Sequence, residues 1–192
     1  IHTTGQASTP EYILDFILEE NGLTAGEDVE VIYYPDGNTA LAAMLKDGGY
    51  AMLPEPATTS ALAQNADLKI IFDVTSEWDK VSDTQLIQGC LVVNKAFADS
   101  HKEEVEEFLR EYAEGVKYVQ ENTSAAAELV VEFGIIANKT MAENSIPRSN
   151  VVCITGSDMK SAVSAMLGVL YDANASSVGG ALPDDAYYYV GG

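Results

Sequence analysis

Ile1-His-Thr-Thr-Gly-Gln-Ala-Ser-Thr-Pro-Glu-Tyr-Ile-Leu-Asp-Phe-Ile-Leu18 reads as a short strand that passes through a loop of small residues into a helix. Proline drives its predecessor out of the α region and sits comfortably at the first helical position, so Thr9 is the expected N-cap and Pro10 the first helical residue. Glu11 then meets the positive end of the helix dipole. Ile13, Leu14, Ile17 and Leu18 form one apolar face, and Asn21-Gly22 supplies a left-handed stop. The loop Gly5-Gln6-Ala7-Ser8 offers backbone N–H groups and, with Thr9, two hydroxyls, a cradle suited to an anion or a polar ligand. The plainer alternative is a helix start whose N–H groups meet water.

Outward from this unit, strand and helix alternate. Val29 to Tyr34 is a β-branched and aromatic strand ended by Pro35-Asp36-Gly37, and a short helix follows from Asn38 with Ala40, Leu41, Met44 and Leu45 on one face. Tyr50 to Leu53 is a brief strand that runs into Pro54-Glu55-Pro56; Thr58 or Thr59 is the expected cap of the next helix. Leu68 to Val74 and Gln88 to Val93 read as further strands. Such spacing predicts a parallel α/β sheet. Near Asn94 the pattern becomes helical. Ser100 and Glu103 form a capping box that opens a long helix to about Gln120, a second helix runs from Ser124 to Phe133, and a third starts near Asn138. Val151 to Ile154 is strand-like, and Ser157 or Asp158 caps a last helix carrying Val163, Met166, Leu167 and Leu170. The division predicted is an α/β lobe over 1–95 and a mainly helical portion over 96–192.

The 192 residues are 47% hydrophobic, enough to bury a core. A formal charge of −20 repels phosphate backbones and anionic lipid, which argues against nucleic-acid or polybasic membrane binding. No run approaches a transmembrane span. Cys90 and Cys153 lie in apolar strand-like runs and read as buried free thiols, with a disulfide as the alternative. The chain opens on Ile1 inside what reads as a strand, which suggests that a preceding segment has been removed.

Catalytic groupings are sparse. His2 and His101 are the two histidines, too few for a triad or a histidine-based metal site, so no catalytic residue, metal or cofactor is expected. The loop at Gly5 lacks the glycine spacing of a dinucleotide fingerprint, and no Walker A loop is present. The runs Glu103-Glu104, Glu106-Glu107 and Asp184-Asp185 read as solvated faces. In an open parallel sheet ligands sit where strands end, so the loop Gly5 to Thr9, the turn Pro35 to Asn38 and the segment Leu53 to Thr59 are expected to line one crevice. Glu55, stiffened by the prolines on either side, is either a ligand-facing carboxylate or part of a rigid connection.

Thr4-Gly-Gln-Ala-Ser-Thr-Pro-Glu-Tyr-Ile-Leu14, Asn21-Gly-Leu23, Met52-Leu-Pro-Glu-Pro-Ala-Thr58, Ser76-Glu-Trp-Asp-Lys-Val81, Ile146-Pro-Arg-Ser-Asn150 and Leu182-Pro-Asp-Asp185 together resemble the extracytoplasmic substrate-binding proteins of ABC importers, within them the nitrate, sulfonate and thiamine-pyrimidine group. The resemblance implies a periplasmic-binding-protein-like fold of type II, a parallel-sheet lobe plus a mainly helical C-terminal portion. It implies entry at the first strand of the second lobe, with most of the first lobe absent and an apolar face left for self-association. It places ligand contacts on Gly5, Gln6, Ser8, Thr9, Asn38, Leu53, Pro54, Glu55 and Pro56, and it leaves Trp78 as a motif position or a packing residue. It further implies export, either lipid-anchored outside a Gram-positive membrane or periplasmic, and a membrane permease as partner. The ligand implied is a sulfonate, a zwitterion or a pyrimidine precursor. Two alternatives are a ligand-sensing domain of a regulator or sensor, and a pyrimidine-precursor synthase, whose cysteine-rich motif and active-site histidine this sequence lacks.

Overall fold

The computed structural model describes residues 1–191. The chain forms two compact units. Unit 1 comprises Ile1–Pro54, Leu68–Cys90 and Gly156–Val190; unit 2 comprises Glu55–Asp67 and Leu91–Thr155, with Gly191.

Unit 1 begins with β1 (His2–Thr4), then α1 (Thr9–Glu20) and β2 (Ile32–Tyr34), and the two strands pair in parallel with His2 opposite Ile32 and Thr4 opposite Tyr34. α2 (Gly37–Asp47) leads to Ala51, which bridges His2 in parallel on the other side of β1. The bridge is secured by His2 N–H to the Tyr50 carbonyl at 2.8 Å and Met52 N–H to the His2 carbonyl at 2.9 Å. The small sheet is therefore parallel, as the strand-helix spacing predicts. α2 starts at Gly37 and not at Asn38, because Asp36 is the cap: its carboxylate accepts from Thr39 N at 2.9 Å and from Thr39 Oγ1 at 3.0 Å. These bonds hold its carboxyl below the usual range.

The core of unit 1 lies between α1, α4 (Val74–Val81) and α9 (Gly156–Ala173), where Ile13, Trp78 and Met166 are buried and Phe16, Ile17, Val74, Leu86, Ile87, Val169 and Leu170 pack around them. Trp78 is fully buried, its ring 4.8 Å from that of Phe16, and its Nε1 donates to the Thr84 carbonyl at 2.6 Å. That assigns Trp78 to packing.

Unit 2 contains α3 (Ala57–Gln64), α5 (Lys95–Ser100), α6 (Lys102–Glu121), α7 (Thr123–Glu132) and α8 (Lys139–Ser145), followed by a 3-10 turn at Ile146–Arg148. Asn138 caps α8 through Met141 N, as its side-chain chemistry predicts. The capping box expected at Ser100 and Glu103 does not form. Ser100 instead closes α5, its hydroxyl donating to the Ala96 carbonyl at 2.7 Å, and α6 starts after His101 without a side-chain cap. Likewise α3 begins before Thr58, with Pro56 at the cap position.

Three stretches expected as strands take no ladder: 68–74, whose last residue Val74 instead opens α4, 88–93 and 151–154. Their apolar side chains remain open to solvent, with Phe72 at 66% and Val92 at 80% exposure. Strand propensity expresses fit to a pleated, half-buried surface, and these stretches have none among the described residues. Neither cysteine is buried as expected. Both are free thiols, Cys90 exposed and Cys153 half-buried.

Candidate functional site

The parallel register sets where the candidate residues of unit 1 fall. β1 ends at Thr4 and β2 at Tyr34, directly opposite one another, so the Gly5 loop and the Pro35–Asn38 turn leave the sheet from the same edge. Ala51 runs parallel to His2, which sends Leu53 and Pro54 out at that edge as well. Gly5, Gln6, Ser8, Thr9, Asn38, Leu53 and Pro54 thus belong to one end of one small sheet. Glu55 and Pro56 belong to unit 2.

The Gly5 loop is closely made. Gly5 has φ +83°, and a Cβ there would lie 2.9 Å from Pro10 Cγ, so the position requires glycine. Ser8, not Thr9, is the N-cap; its hydroxyl turns back to donate to the Gly5 carbonyl at 2.6 Å and does not cap the helix. Glu11 reaches from the first turn of α1 to accept the Ala7 N–H. One loop donor is therefore taken by the chain's own carboxylate, in the place an anion would occupy. Farther along the same face of α1, burial first and then the Glu11 and Glu19 charges push the Asp15 carboxyl up, and Asp15 Oδ1 is buried without a hydrogen-bond partner. The neighbouring Tyr33 hydroxyl is driven above its ordinary range, chiefly by burial and then by Glu11 and Asp15.

In unit 2 Glu55 is fully engaged. Arg148 Nε donates to Glu55 Oε1 at 2.7 Å, and Arg148 Nη2 donates to Thr59 Oγ1 at 2.5 Å. Thr59 in turn donates to Glu55 Oε2 through its hydroxyl at 2.7 Å and its N–H at 3.2 Å. The three side chains close a ring of bonds. Thr59 is buried and the Glu55 side chain is 12% exposed.

The sequence matches no family model and no curated protein. The structure superposes on a crystal structure of an ABC transporter from Parabacteroides distasonis with a TM-score of 0.80. It shares that protein's fold. Sequence identity is 20%, and the alignment covers 97% of this chain and 65% of the other. The chain thus spans less than two thirds of the ABC transporter chain it matches.

The sequence offers Thr59 as a possible helix cap at the end of the Leu53–Thr59 segment and Arg148 as part of the Ile146–Asn150 motif, but not their joint pairing with Glu55. Arg148 is one of two arginines in a strongly acidic chain, which was a signal, but its partner lies 93 positions away. Glu11 appears in the sequence only as a dipole partner, although a carboxylate four residues after Ala7 is placed to reach a loop N–H. Among the described residues no cluster of histidine, cysteine and carboxylate side chains is placed to hold a metal, and no helix is long and apolar enough to cross a membrane.

Proposed function

We propose that this chain belongs to the solute-binding component of an ABC importer, which captures a small polar organic ligand by closure of two lobes and delivers it to a membrane permease. The observation that carries the proposal is the fold shared with the Parabacteroides distasonis ABC transporter over 97% of this chain. The site would be non-covalent, with Gly5, Gln6, Ser8, Thr9, Asn38, Leu53 and Pro54 facing the ligand from the edge of the small sheet in unit 1. The region 1–95 would correspond to the second lobe, within the nitrate, sulfonate and thiamine-pyrimidine group. The protein would act outside the cytoplasm, anchored by lipid or periplasmic, and self-association would involve the exposed apolar stretches.

A thermal-shift screen of the purified protein against aminosulfonates, zwitterions and aminopyrimidines tests the binding role. A hit is then followed by calorimetry on Ser8→Ala and Gln6→Ala. A lost charge-assisted hydrogen bond weakens binding on the order of tenfold or more, the result expected. Unchanged affinity in both variants rejects this site, and a screen without any shift rejects the binding role.

A further inference from the structure

We infer that Arg148 is a positioning residue that latches the segment Glu55–Asp67 onto the helical unit and so fixes Glu55 and Pro56, the part of the Pro-Glu-Pro loop that belongs to unit 2. The chain leaves unit 1 at Pro54 and enters unit 2 at Glu55. The first residue after that crossing is thus the one Arg148 grips. The entering segment is short: it contains α3 alone and departs for unit 1 again after Asp67. Within unit 2 α3 packs on α8, and of its two buried residues, Thr59 and Ala61, it is Thr59 that bonds to Glu55 and Arg148.

The chemistry suits a latch. The guanidinium offers Nε and Nη2 as a planar fork, and here one arm takes a carboxylate oxygen while the other takes a hydroxyl. Thr59 lies one helical turn beyond Glu55, and its hydroxyl accepts from Arg148 while donating to Glu55. Removing Arg148 or Thr59 leaves the Glu55 carboxylate, 12% exposed, short of a donor, so the three act as a unit. Arg148 itself is presented by the 3-10 turn Ile146–Arg148, whose proline stiffens it. The residues Pro-Glu-Pro and Ile-Pro-Arg, far apart in the chain, are two halves of one device.

The consequence for binding rests on the function proposed above, since it concerns the loop assigned to the ligand; the latch itself does not. Hydrogen-exchange mass spectrometry on the intact chain therefore tests it without a ligand. Arg148→Met and Thr59→Val should each lower amide protection across 57–64 by roughly tenfold or more, leaving α7, α9 and β1 unchanged. Arg148→Lys keeps the charge without the fork and should restore part of the protection. Protection across 57–64 that does not change in Thr59→Val, or a loss of equal size in every helix, would overturn the latch. If Arg148→Met does not fold, Thr59→Val and Arg148→Lys decide the matter. Failure of the ligand screen with loss of protection confined to 57–64 would sink the binding role and keep the latch.

Discussion

In unit 1 the core gathers Trp78, Phe16 and Met166 from three helices, whereas in unit 2 the residues that α7 and α8, packed together, bury most completely are small: Ala126, Ala127, Ala142 and Ser145. Large side chains fill the space between elements in the first case, and in the second small ones let two backbones approach. The two constructions should fail in opposite ways. A core built on volume is sensitive to truncation, because the removed atoms leave a cavity as well as lost burial. An interface built on small residues is sensitive to enlargement, because there is nowhere for added atoms to go.

The largest effect therefore belongs to Trp78→Ala. It removes a fully buried indole, its tilted ring contact with Phe16 and its bond to the Thr84 carbonyl. A loss of about 3–5 kcal/mol is expected in denaturant unfolding, a large fraction of the about 5–15 kcal/mol that holds a domain folded. A loss below about 1 kcal/mol would show that the Trp78 cluster is not the organising core.

The converse substitution, Ala142→Leu in α8, should cost about 1–3 kcal/mol by overpacking. Its effect should appear in the α7–α8 pair and not in unit 1, with near-normal signals from Trp78 fluorescence. If Ala142→Leu is neutral while Ala142→Gly is severe, the contrast between the two units is wrong.

The same contrast governs what could be read from residues alone. Helix starts that depend on neighbouring side chains were legible: Pro10 and Asn138 fix α1 and α8 to within a residue or so. The parallel pairing of β1 and β2 followed from the strand-helix-strand spacing. That 68–74, 88–93 and 151–154 form no strand was not legible, since a run such as Ile70-Ile71-Phe72 states only what a strand would like and not whether a ladder exists to receive it. Ser100 misled because a hydroxyl between two helices can close one or open the other, and local sequence does not choose. For the site, the loop at Gly5 was visible in its composition, but the use of Glu11 to fill it was not. Glu55 reads from sequence as a ligand-facing carboxylate or part of a rigid connection, and its pairing with Arg148 is in neither reading: the fold brings Arg148 there, and no spacing rule spans 93 residues.

The smallest effect expected lies on α1, and it separates burial from packing as the source of strain in unit 1. Asp15 sits between Glu11 and Glu19 at helical spacing, with one carboxylate oxygen buried and unpartnered and Tyr33 close by. Its carboxyl is raised above its ordinary value, first by burial and then by the two like charges. A carboxyl whose pKa is higher in the folded chain than in the unfolded one binds protons more tightly when folded. Stability accordingly falls as pH rises from the ordinary value of about 3.9 through the raised one, and the penalty is complete above it. Asp15→Asn removes the charge and keeps the shape, so its Tm should exceed that of the parent at pH 7, and the excess should shrink as pH is lowered toward 4. Calorimetry of both proteins between pH 3.5 and pH 7 checks the sign, given as ~0.5 steps across the range where Asp15 titrates. A Tm gain that stays constant with pH would assign the effect to packing and not to charge, and a loss of Tm at pH 7 would mean that the Asp15 carboxylate contributes favourably to the fold.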